Sequence, residues 1–458
     1  MPQITTLTGD VQNLLIKLES KLGMLANNDA LFDRYYEGTR RLEQIGLAVP
    51  PELEFLEVSA NWCRVAVDSV ADRLKMKGFY LPGETESSAA LRDGWDANNL
   101  DSESLLHSQE TMIYGRGYVS VSTNEEDNDF PLIQVESPTE ISVEVDRRHR
   151  RITAAARFYD RGESFGIAQS ATLYLPNQTL WLERASGGWA VVDRDDHRLG
   201  RVPIVLFLNR RRAGRWEGVS EMSDVAQLVD ASARALTDLQ LAVETHSVPQ
   251  KWVLGMTKED FVGKDGKPIP AWEAYFTAIW ANHKGPNEAR VGQFSASDLK
   301  NFHDTVKHYG NLAASVTGLP ARYFGESTVN PSSFEAIMAE EIRLILNAEK
   351  KQTAFGDGWA WVMGLYERFR TGEWVNGSRI KADWFNAATP TLAQSADAAV
   401  KLYANGQGAI SRESVWDTLG WSEAEKLREW KRLEKEALAE IDRLEKAVNE
   451  PELESVGV

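Results

Sequence analysis

The sequence predicts a predominantly α-helical α+β protein, and three observations support this fold class. Apolar residues spaced three and four apart, which mark one face of a helix, dominate the chain before about residue 112 and after about residue 220. The part between them alternates short apolar and polar runs with Pro, Gly, Asn and Asp turn signals, which is typical of β-strands. Hydrophobic residues form 43% of the 458-residue chain and exclude a disordered protein.

Helices before the β-rich part are predicted at residues 7–26, 53–76 and 101–112. The apolar face of the second helix comprises Leu56, Ala60, Cys63, Val67, Val70 and Leu74. We expect Gly78 to end this helix, because glycine readily takes the left-handed conformation that closes many helices. Candidate strands then cover residues 118–121, 132–136, 141–145, 152–159, 172–174, 179–183, 189–192 and 204–208.

The C-terminal half is predicted to be mainly helical. A helix over residues 221–246, capped by Ser220, precedes an irregular Trp-containing insert, and another helix covers 297–316. A very long helix begins at a capping box that opens with Ser332 and ends near Gly372, with a bend expected at its internal glycines. Three further helices are predicted at residues 391–403, 411–418 and 422–449.

Composition narrows the function classes. The net charge of −17, from 51 basic and 68 acidic residues, disfavours a protein that grips nucleic acid by its phosphates, but it does not exclude a protein that must let DNA slide. The longest apolar stretch, residues 202–208, is too short to cross a bilayer, and the N-terminus predicts no signal peptide. The single cysteine, Cys63, excludes an internal disulfide and predicts a reducing compartment.

Motifs for catalysis or cofactor binding give mainly negative results. Residues 263–268 lack the spacing of a phosphate-binding loop, residues 115–117 lack the third glycine of a dinucleotide fingerprint, and no His-Glu-x-x-His motif occurs. We therefore expect no enzyme and no cofactor. One cluster has residue types that suit a divalent cation: Asp193, Asp195, Asp196 and His197. Its alternative interpretation is a solvated turn between strands.

A basic run separates the β-rich part from the first long helix of the C-terminal half. Its members are Arg210, Arg211, Arg212 and Arg215. This run either contacts phosphates or an acidic neighbour, or forms a solvated turn. The 15 Trp residues are dispersed along the chain, which favours packing in the core and in subunit interfaces over a sugar or nucleobase site.

The order of these elements resembles the phage portal protein family, in particular the siphophage portals of actinobacteriophages. The landmarks include Tyr35-Tyr36-Glu37-Gly38, Asn61 through Arg73 to Gly78-Phe79, residues 114–119, residues 200–205 with Asn209, residues 244–252, and Thr317-Gly318-Leu319-Pro320. The resemblance covers nearly the whole chain. Its weight lies in the joint order of the landmarks, because none of them is specific alone.

The resemblance implies a division of the chain into seven parts. These are a wing over residues 1–215, a first stem helix over 216–249, a clip over 250–296, a second stem helix over 297–318, a tunnel loop over 319–331, a long wing helix with its connection over 332–389, and a helical crown over 390–458. The clip is expected to dock the packaging motor and the head-completion proteins through Trp272, Tyr275, Phe276 and Trp280. The alternative is that these aromatic residues pack in the clip's own small core.

The tunnel loop is expected to touch passing DNA without gripping it. Its candidate contact residues are Arg322, Tyr323, Glu326 and Asn330. The charges of Arg322 and Glu326 would cancel, and a neutral contact suits a duplex that must slide. The alternative is an ordinary surface connection between two helices.

The function implied by the resemblance is that of a homo-oligomeric ring, typically of about twelve subunits, at one capsid vertex of a virion assembled in the host bacterial cytoplasm. Double-stranded DNA would pass through its channel during packaging and ejection. The implied partners are the terminase large subunit, the head-tail adaptor, and the major capsid and scaffolding proteins, with no membrane. Two other functions stay open, namely an acidic Trp-rich glycoside hydrolase and a head adaptor or scaffolding protein without a DNA channel.

Overall fold

The computed structural model describes residues 5–41, 58–84, 86–161, 166–185, 188–246, 251–255, 290–293, 299–325, 334–375, 377–388, 392–404, 407–421 and 423–449. The chain divides into two compact units, Met1–Trp384 and Phe385–Val458. No helix within the described ranges is long and apolar enough to cross a membrane.

In both units more of the described residues lie in helices than in strands. In the first unit they are α1 (Gly9–Glu37), α2 (Trp62–Ala71), α3 (Ala89–Ala97), α4 (Leu100–Tyr114), α5 (Ala226–His246), α6 (Lys300–Thr317) and α7 (Phe334–Thr371). In the second unit they are α8 (Leu392–Tyr403), α9 (Arg412–Thr418) and α10 (Glu423–Asn449). The predicted fold class, a predominantly helical α+β protein, is confirmed.

The strands of the first unit pair antiparallel throughout the described part. They are β1 (Thr5–Thr6), β2 (Met76–Tyr80), β3 (Arg116–Ser122), β4 (Leu132–Glu136), β5 (Ile141–Asp146), β6 (Arg151–Tyr159), β7 (Ser170–Tyr174), β8 (Thr179–Ala185), β9 (Gly188–Asp195), β10 (Ile204–Leu208), β11 (Lys251–Leu254), β12 (Arg290–Gln293) and β13 (Lys381–Trp384). A six-stranded sheet has the order β1-β9-β8-β7-β6-β5, and a three-stranded sheet has the order β10-β3-β4. Two ribbons pair β11 with β12 and β13 with β2.

Both faces of the six-stranded sheet are covered, because successive side chains of a strand point to opposite faces. On one face Leu15 and Leu18 of α1 pack on a buried cluster that includes Phe158. On the other face Tyr174 packs in a second cluster with Ile204 of β10. The sheet therefore lies between α1 and the three-stranded sheet.

An aromatic core joins α4, α7 and the three-stranded sheet. The ring of the fully buried His107 lies 4.1 Å from that of Phe207 and 5.3 Å from that of Trp359, and Trp95 lies 5.0 Å from Trp359 (centroid distances). Helix α7 can approach Phe207 closely because Gly358 has no side chain, and a Cβ atom there would lie 2.3 Å from the Phe207 ring. The interpretation of Trp residues as core residues is confirmed for Trp95 and Trp359.

The prediction that Gly78 ends a helix is wrong. Gly78 lies in β2, which pairs with β13 about 300 residues later, so the sequence near Gly78 gives no sign of its partner. Helix α2 is also shorter than predicted, because it begins after Asn61, whose side chain accepts the backbone N–H of Arg64 at 3.1 Å and caps the helix. The short helix α3 and the strands β2 and β13 were not predicted.

The long helix predicted over residues 221–246 is interrupted. Glu221–Asp224 forms a 3₁₀ turn capped by the Ser220 hydroxyl, and α5 begins at Ala226. The very long helix is present as α7, and the apolar residues of its second half lie mainly in the core. Phe355 and Trp359 are buried within the unit, whereas Ile342 is 56% exposed.

The second unit is built on a small aromatic cluster. Trp416 of α9 is buried, stacks on Trp421 at 5.7 Å and meets the edge of Trp430 of α10 at 5.3 Å. The ammonium of Lys426 pairs with Asp417 at 2.6 Å. Among the described side chains of α10, Leu427, Leu438, Ile441 and Leu444 are exposed.

Candidate channel and docking elements

The two helices α5 and α6 pack against each other, and a ribbon lies between them in the order of the chain. The ribbon pairs β11, which follows α5, with β12, which precedes α6, in the register Lys251 with Gln293 and Leu254 with Arg290. Because these paired strands are antiparallel, they bring the two ends of the segment over residues 255–289 together. The chain order thus places this insert between the two helices of the pair.

The candidate clip residues Trp272, Tyr275, Phe276 and Trp280 lie outside the described residues. Their role in docking stays a prediction. What the structure adds is the position of the insert's two ends on the ribbon.

A 3₁₀ turn, Ala321–Phe324, follows α6 and is fastened to its neighbours. Its Phe324 ring meets the edge of Trp62 at 6.0 Å. On α6, Gly310 lies beneath it, and a Cβ atom there would be 3.1 Å from the Phe324 carbonyl oxygen. The first part of the predicted tunnel loop is therefore a packed turn against α2 and α6.

Carboxylates of α7 hold the Arg322 side chain. Its guanidinium donates to Glu340 at 2.9 Å and also pairs with Glu341, and the Tyr323 hydroxyl donates to Glu341 at 3.3 Å. Glu341 is buried and also accepts from Arg73 at 2.9 Å. This cluster, which we call the Arg322 clamp, joins the turn, α7 and the segment after α2.

The expectation that the charges of Arg322 and Glu326 cancel did not include the carboxylates of α7. Arg322 is already neutralised by Glu340 and Glu341, whose partnership across α7 is not visible from their spacing in sequence. Glu326 and Asn330 lie outside the described residues. Their proposed contact with DNA stays a prediction.

A buried ion pair links α7 to the start of α5. The Lys351 ammonium donates to Glu221 at 2.8 Å and to the Asn209 side-chain oxygen at 2.6 Å. The Asn209 amide nitrogen donates to Glu221 at 2.9 Å, and Asn347, one turn before Lys351, donates to the same carboxylate at 3.2 Å. These four residues form the Lys351 network.

Charge and burial act in opposite directions on the Lys351 network. Burial lowers the pKa of Lys351, although the Glu221 carboxylate opposes this change. Burial would raise the pKa of Glu221, but the charge and hydrogen bond of Lys351 and the amides of Asn209 and Asn347 lower it overall. The hydrogen bonds of the pair fix the 3₁₀ turn before α5 on α7.

The basic run has mixed surroundings. Arg210 pairs with Asp224 at 2.7 Å, and Arg211 lies 4.7 Å from the centroid of the Trp216 ring. Arg212 and Arg215 are exposed. The run thus contains one neutralised arginine beside the Lys351 network and further arginines on the surface.

Side chains of the Asp193–His197 cluster have partners other than a cation. Asp196 pairs with Arg194 at 3.1 Å, and Asp195 accepts the Thr123 hydroxyl at 3.1 Å. Within the described ranges no group of three or more His, Cys, Asp or Glu side chains is arranged to hold a metal ion.

Sequence reasoning missed two motifs. Residues 162–166 have the Gly-x-Ser-x-Gly spacing of a hydrolase nucleophile elbow, but they connect the antiparallel strands β6 and β7, whereas an elbow joins a strand to a helix. Residues 147–151, Arg-Arg-His-Arg-Arg, are a denser basic cluster than residues 210–215. The signal was available, because five successive basic residues stand between two predicted strands.

Comparison with known proteins identifies the family. Residues 30–441 match the model of the family described as phage portal protein, SPP1 Gp6-like. The chain is 38% identical over 410 residues to the portal protein of Mycobacterium phage D29, covering 86% of this chain and 83% of that protein. It is 37% identical over 409 residues to the portal protein of Mycobacterium phage L5, with the same coverage.

Solved structures of gene transfer agent particles contain chains with some similarity of fold. One, from the neck of an empty particle, has a TM-score of 0.45 at 16% identity and covers 82% of this chain and 92% of its own. Another, from the virion of a native particle, has a TM-score of 0.46 at 14% identity and covers 86% of this chain and 94% of its own. The assignment rests on the sequence matches, which span most of the chain, and on these grounds the chain belongs to the phage portal protein family of the SPP1 Gp6-like type.

Proposed function

We propose that the chain assembles into a closed ring at a capsid vertex and that double-stranded DNA passes through the ring during packaging and ejection. The observation that carries this proposal is the family match over residues 30–441. The helical pair α5 and α6, which carries the insert on a two-stranded ribbon, supports it as a candidate stem and clip. In this proposal the chain does no chemistry and uses no cofactor.

Exposed apolar residues support self-association. Helix α10 leaves Leu438, Ile441 and Leu444 exposed, and α7 leaves Ile342 and Leu346 exposed. In a monomer these apolar side chains would stay in contact with water, whereas contacts between copies would bury them. Contacts between different patches of identical subunits generate a ring when the rotation closes.

The acidic balance of the chain suits a conduit for DNA. A net charge of −17 on each copy, repeated around a ring, makes tight binding to phosphates unfavourable. A duplex that must slide needs weak contacts, because strong phosphate binding would impose a free-energy cost at every step. We place the contact with DNA at the loop that the Arg322 clamp fastens to α7, through Glu326 and Asn330.

The insert between β11 and β12 is the proposed docking site for the terminase large subunit and the head-tail adaptor. Its Trp272, Tyr275, Phe276 and Trp280 have the aromatic composition of interface hot spots. Replacing them singly with Ala should weaken terminase binding and leave rings intact. Unchanged binding would favour the alternative that they pack within the insert.

Electron microscopy and mass measurement of the purified chain test the ring. We expect particles of about twelve copies with a central bore wide enough for a duplex. A single-chain mass at every protein concentration would contradict the ring. A ring whose bore excludes duplex DNA would instead favour a head adaptor or scaffolding protein, and family membership argues against the glycoside hydrolase alternative.

A further inference from the structure

The turn between β5 and β6 concentrates positive charge on the surface of the described part of the chain. Its residues Arg147, Arg148, His149 and Arg150, together with Arg151 at the start of β6, are all exposed. We call residues 147–151 the basic hairpin. The chain as a whole has 17 more acidic than basic residues. Four arginines within five positions are therefore the opposite of its overall charge.

Asp146, the acidic residue next to this turn, takes its hydrogen-bond partners from the turn. Asp146 accepts the backbone N–H groups of Arg148 at 2.8 Å and His149 at 3.2 Å, and it pairs with the His149 ring at 2.5 Å. The four guanidinium groups of the basic hairpin form no ion pair among the described residues. Their positive charge is therefore available to a partner.

The neighbourhood adds positive charge to the basic hairpin. The Arg201 guanidinium lies 3.7 Å from the centroid of the Trp361 ring. Burial lowers the pKa of Arg201, and the positive charge of Arg151 lowers it further. Lys21 of α1 donates to the Val143 carbonyl of β5 at 2.7 Å. Like charges placed together without an acidic partner are destabilising unless a negatively charged group joins them.

A complementary surface exists on the same chain. The loop between β3 and β4 carries four exposed carboxylates, Glu125, Glu126, Asp127 and Asp129, and we call residues 125–129 the acidic loop. The loop is ordered by its own hydrogen bonds, since the Glu126 N–H donates to Asn124 at 3.0 Å and the Asp129 N–H donates to Asp127 at 3.1 Å. Its four carboxylates form no ion pair within 4.0 Å in the described part of the chain.

The two surfaces lie near different edges of the six-stranded sheet. The basic hairpin joins β5 and β6 at one edge, whereas the Thr123 hydroxyl, which precedes the acidic loop, donates to Asp195 of β9 at 3.1 Å. Strands β9 and β5 are four strand spacings apart in this sheet, roughly 19 Å at about 4.8 Å per spacing, and no ion pair joins the two patches within the described part of one copy. A head-to-tail contact joins two different patches of identical subunits, and these two complementary patches meet that requirement.

We propose that the basic hairpin of one copy docks on the acidic loop of the neighbouring copy. This inference rests on the proposed ring. Four guanidinium groups face four carboxylates, and the planar guanidinium fork matches a carboxylate with two parallel hydrogen bonds. A second copy fits better than DNA, because every copy supplies one acidic loop while its overall negative charge repels phosphates.

Such a contact sets orientation and salt dependence more than total affinity. Each exposed ion pair contributes little alone, but the pairs act together and recur at every interface of a ring. A wrong orientation would place like charges opposite each other. We therefore expect added salt to weaken the ring of the unaltered chain, and we expect this salt dependence to shrink once the charges of one patch are reversed, because the attraction that salt screens is then lost.

Charge reversal tests the pairing. The variants are the double variants Arg148→Glu/Arg150→Glu and Glu126→Arg/Asp127→Arg and the fourfold variant that combines all four substitutions. The matched control is Lys75→Glu/Lys381→Glu, which reverses the charge of two exposed residues outside both patches. Each double variant should raise the concentration needed for ring formation about tenfold, and the fourfold variant should restore it. The control should assemble like the unaltered chain, and circular dichroism should show that every variant is folded.

Cross-linking tests the contact directly. The native Cys63 is fully buried, so new cysteines report without interference. Arg148→Cys/Asp127→Cys should form a ladder of disulfide-linked oligomers under oxidation, whereas an equal mixture of the two single variants should stop at dimers. Either single variant alone should give no ladder.

Several results would overturn the inference. Rings that form normally from Arg148→Glu/Arg150→Glu, or a fourfold variant that is not restored, would exclude this pairing while leaving the proposed ring intact. Normal rings that lose duplex retention would assign the basic hairpin to DNA instead. An unaltered chain that stays monomeric would contradict the ring and this contact together.

Discussion

At the scale of single residues, the aromatic core contains a histidine that works as an apolar ring. His107 is fully buried among Phe207, Phe355 and Trp359, and its only side-chain hydrogen bond in the described part is the 3.4 Å contact with Thr111. Burial lowers the pKa of His107 to about 3. A histidine in an interior is more often a packed core residue than a catalytic one, and the surroundings of His107 place it in the first group.

Replacing His107 should change how stability depends on pH. Between pH 6.5 and 3 the unfolded His107 binds a proton that the folded one does not, so the unaltered chain loses stability as pH falls through that window. His107→Leu removes this loss, and its stability relative to the unaltered chain should rise by about 2 kcal/mol from pH 7 to pH 5. Urea unfolding followed by Trp fluorescence at both pH values measures this difference, and an equal difference at both would contradict it.

A second prediction concerns the Lys351 network. Lys351→Met leaves the Glu221 carboxylate buried without its cation, which should cost about 3–5 kcal/mol of stability at pH 7. The loss should shrink as pH falls towards 5, because the unpaired Glu221 can then take up a proton. Lys351→Met/Glu221→Gln should recover most of the stability, since the amide keeps partners in Asn209 and Asn347. A double variant as unstable as Lys351→Met would show that the unpaired charge is not the cause.

At the scale of elements, glycines in two helices should respond to alanine in opposite directions. In α7, a Cβ atom at Gly358 would lie 2.3 Å from the Phe207 ring, so Gly358→Ala should destabilise the chain by about 1–3 kcal/mol despite the better helix propensity of alanine. In α1, a Cβ atom at Gly23 would meet nothing within 4 Å, so Gly23→Ala should stabilise it by about 1 kcal/mol. Thermal unfolding of both variants supplies the comparison, and equal signs would contradict it.

How much of the fold could be predicted from the sequence depends on whether the signal for an element is local or lies in a distant partner. Strands β4 and β10 were predicted at their observed bounds because alternation and flanking turn residues are local signals. Strand β2 was missed because its partner β13 lies about 300 residues away. The carboxylate partners of Arg322 and the cation partner of Glu221 were missed for the same reason, since each pair joins elements that sequence spacing does not relate.

At the scale of the whole molecule, two clusters tie the helical pair to α7. The Lys351 network holds the 3₁₀ turn before α5, and the Arg322 clamp holds the 3₁₀ turn after α6. Both clusters are buried or half-buried, so each resists movement of the pair relative to α7. The loop that we propose to lie in the channel therefore begins at a fixed point, namely the 3₁₀ turn after α6.

The last prediction joins this fixed point to the proposed passage of DNA. Deleting residues 326–329 removes the loop segment beyond Gly325 and leaves the Arg322 clamp in place, so rings should assemble and bind terminase normally. Packaging or retention of full-length DNA should fall, because the loop can no longer reach the duplex. A Gly-Ser replacement of the same four residues is the matched control, since it keeps the length of the loop and removes only its side chains. Measuring packaged DNA per particle separates the cases: loss in the deletion alone assigns a steric role, loss in both assigns a role to the side chains, and normal packaging in both excludes a channel role for this loop.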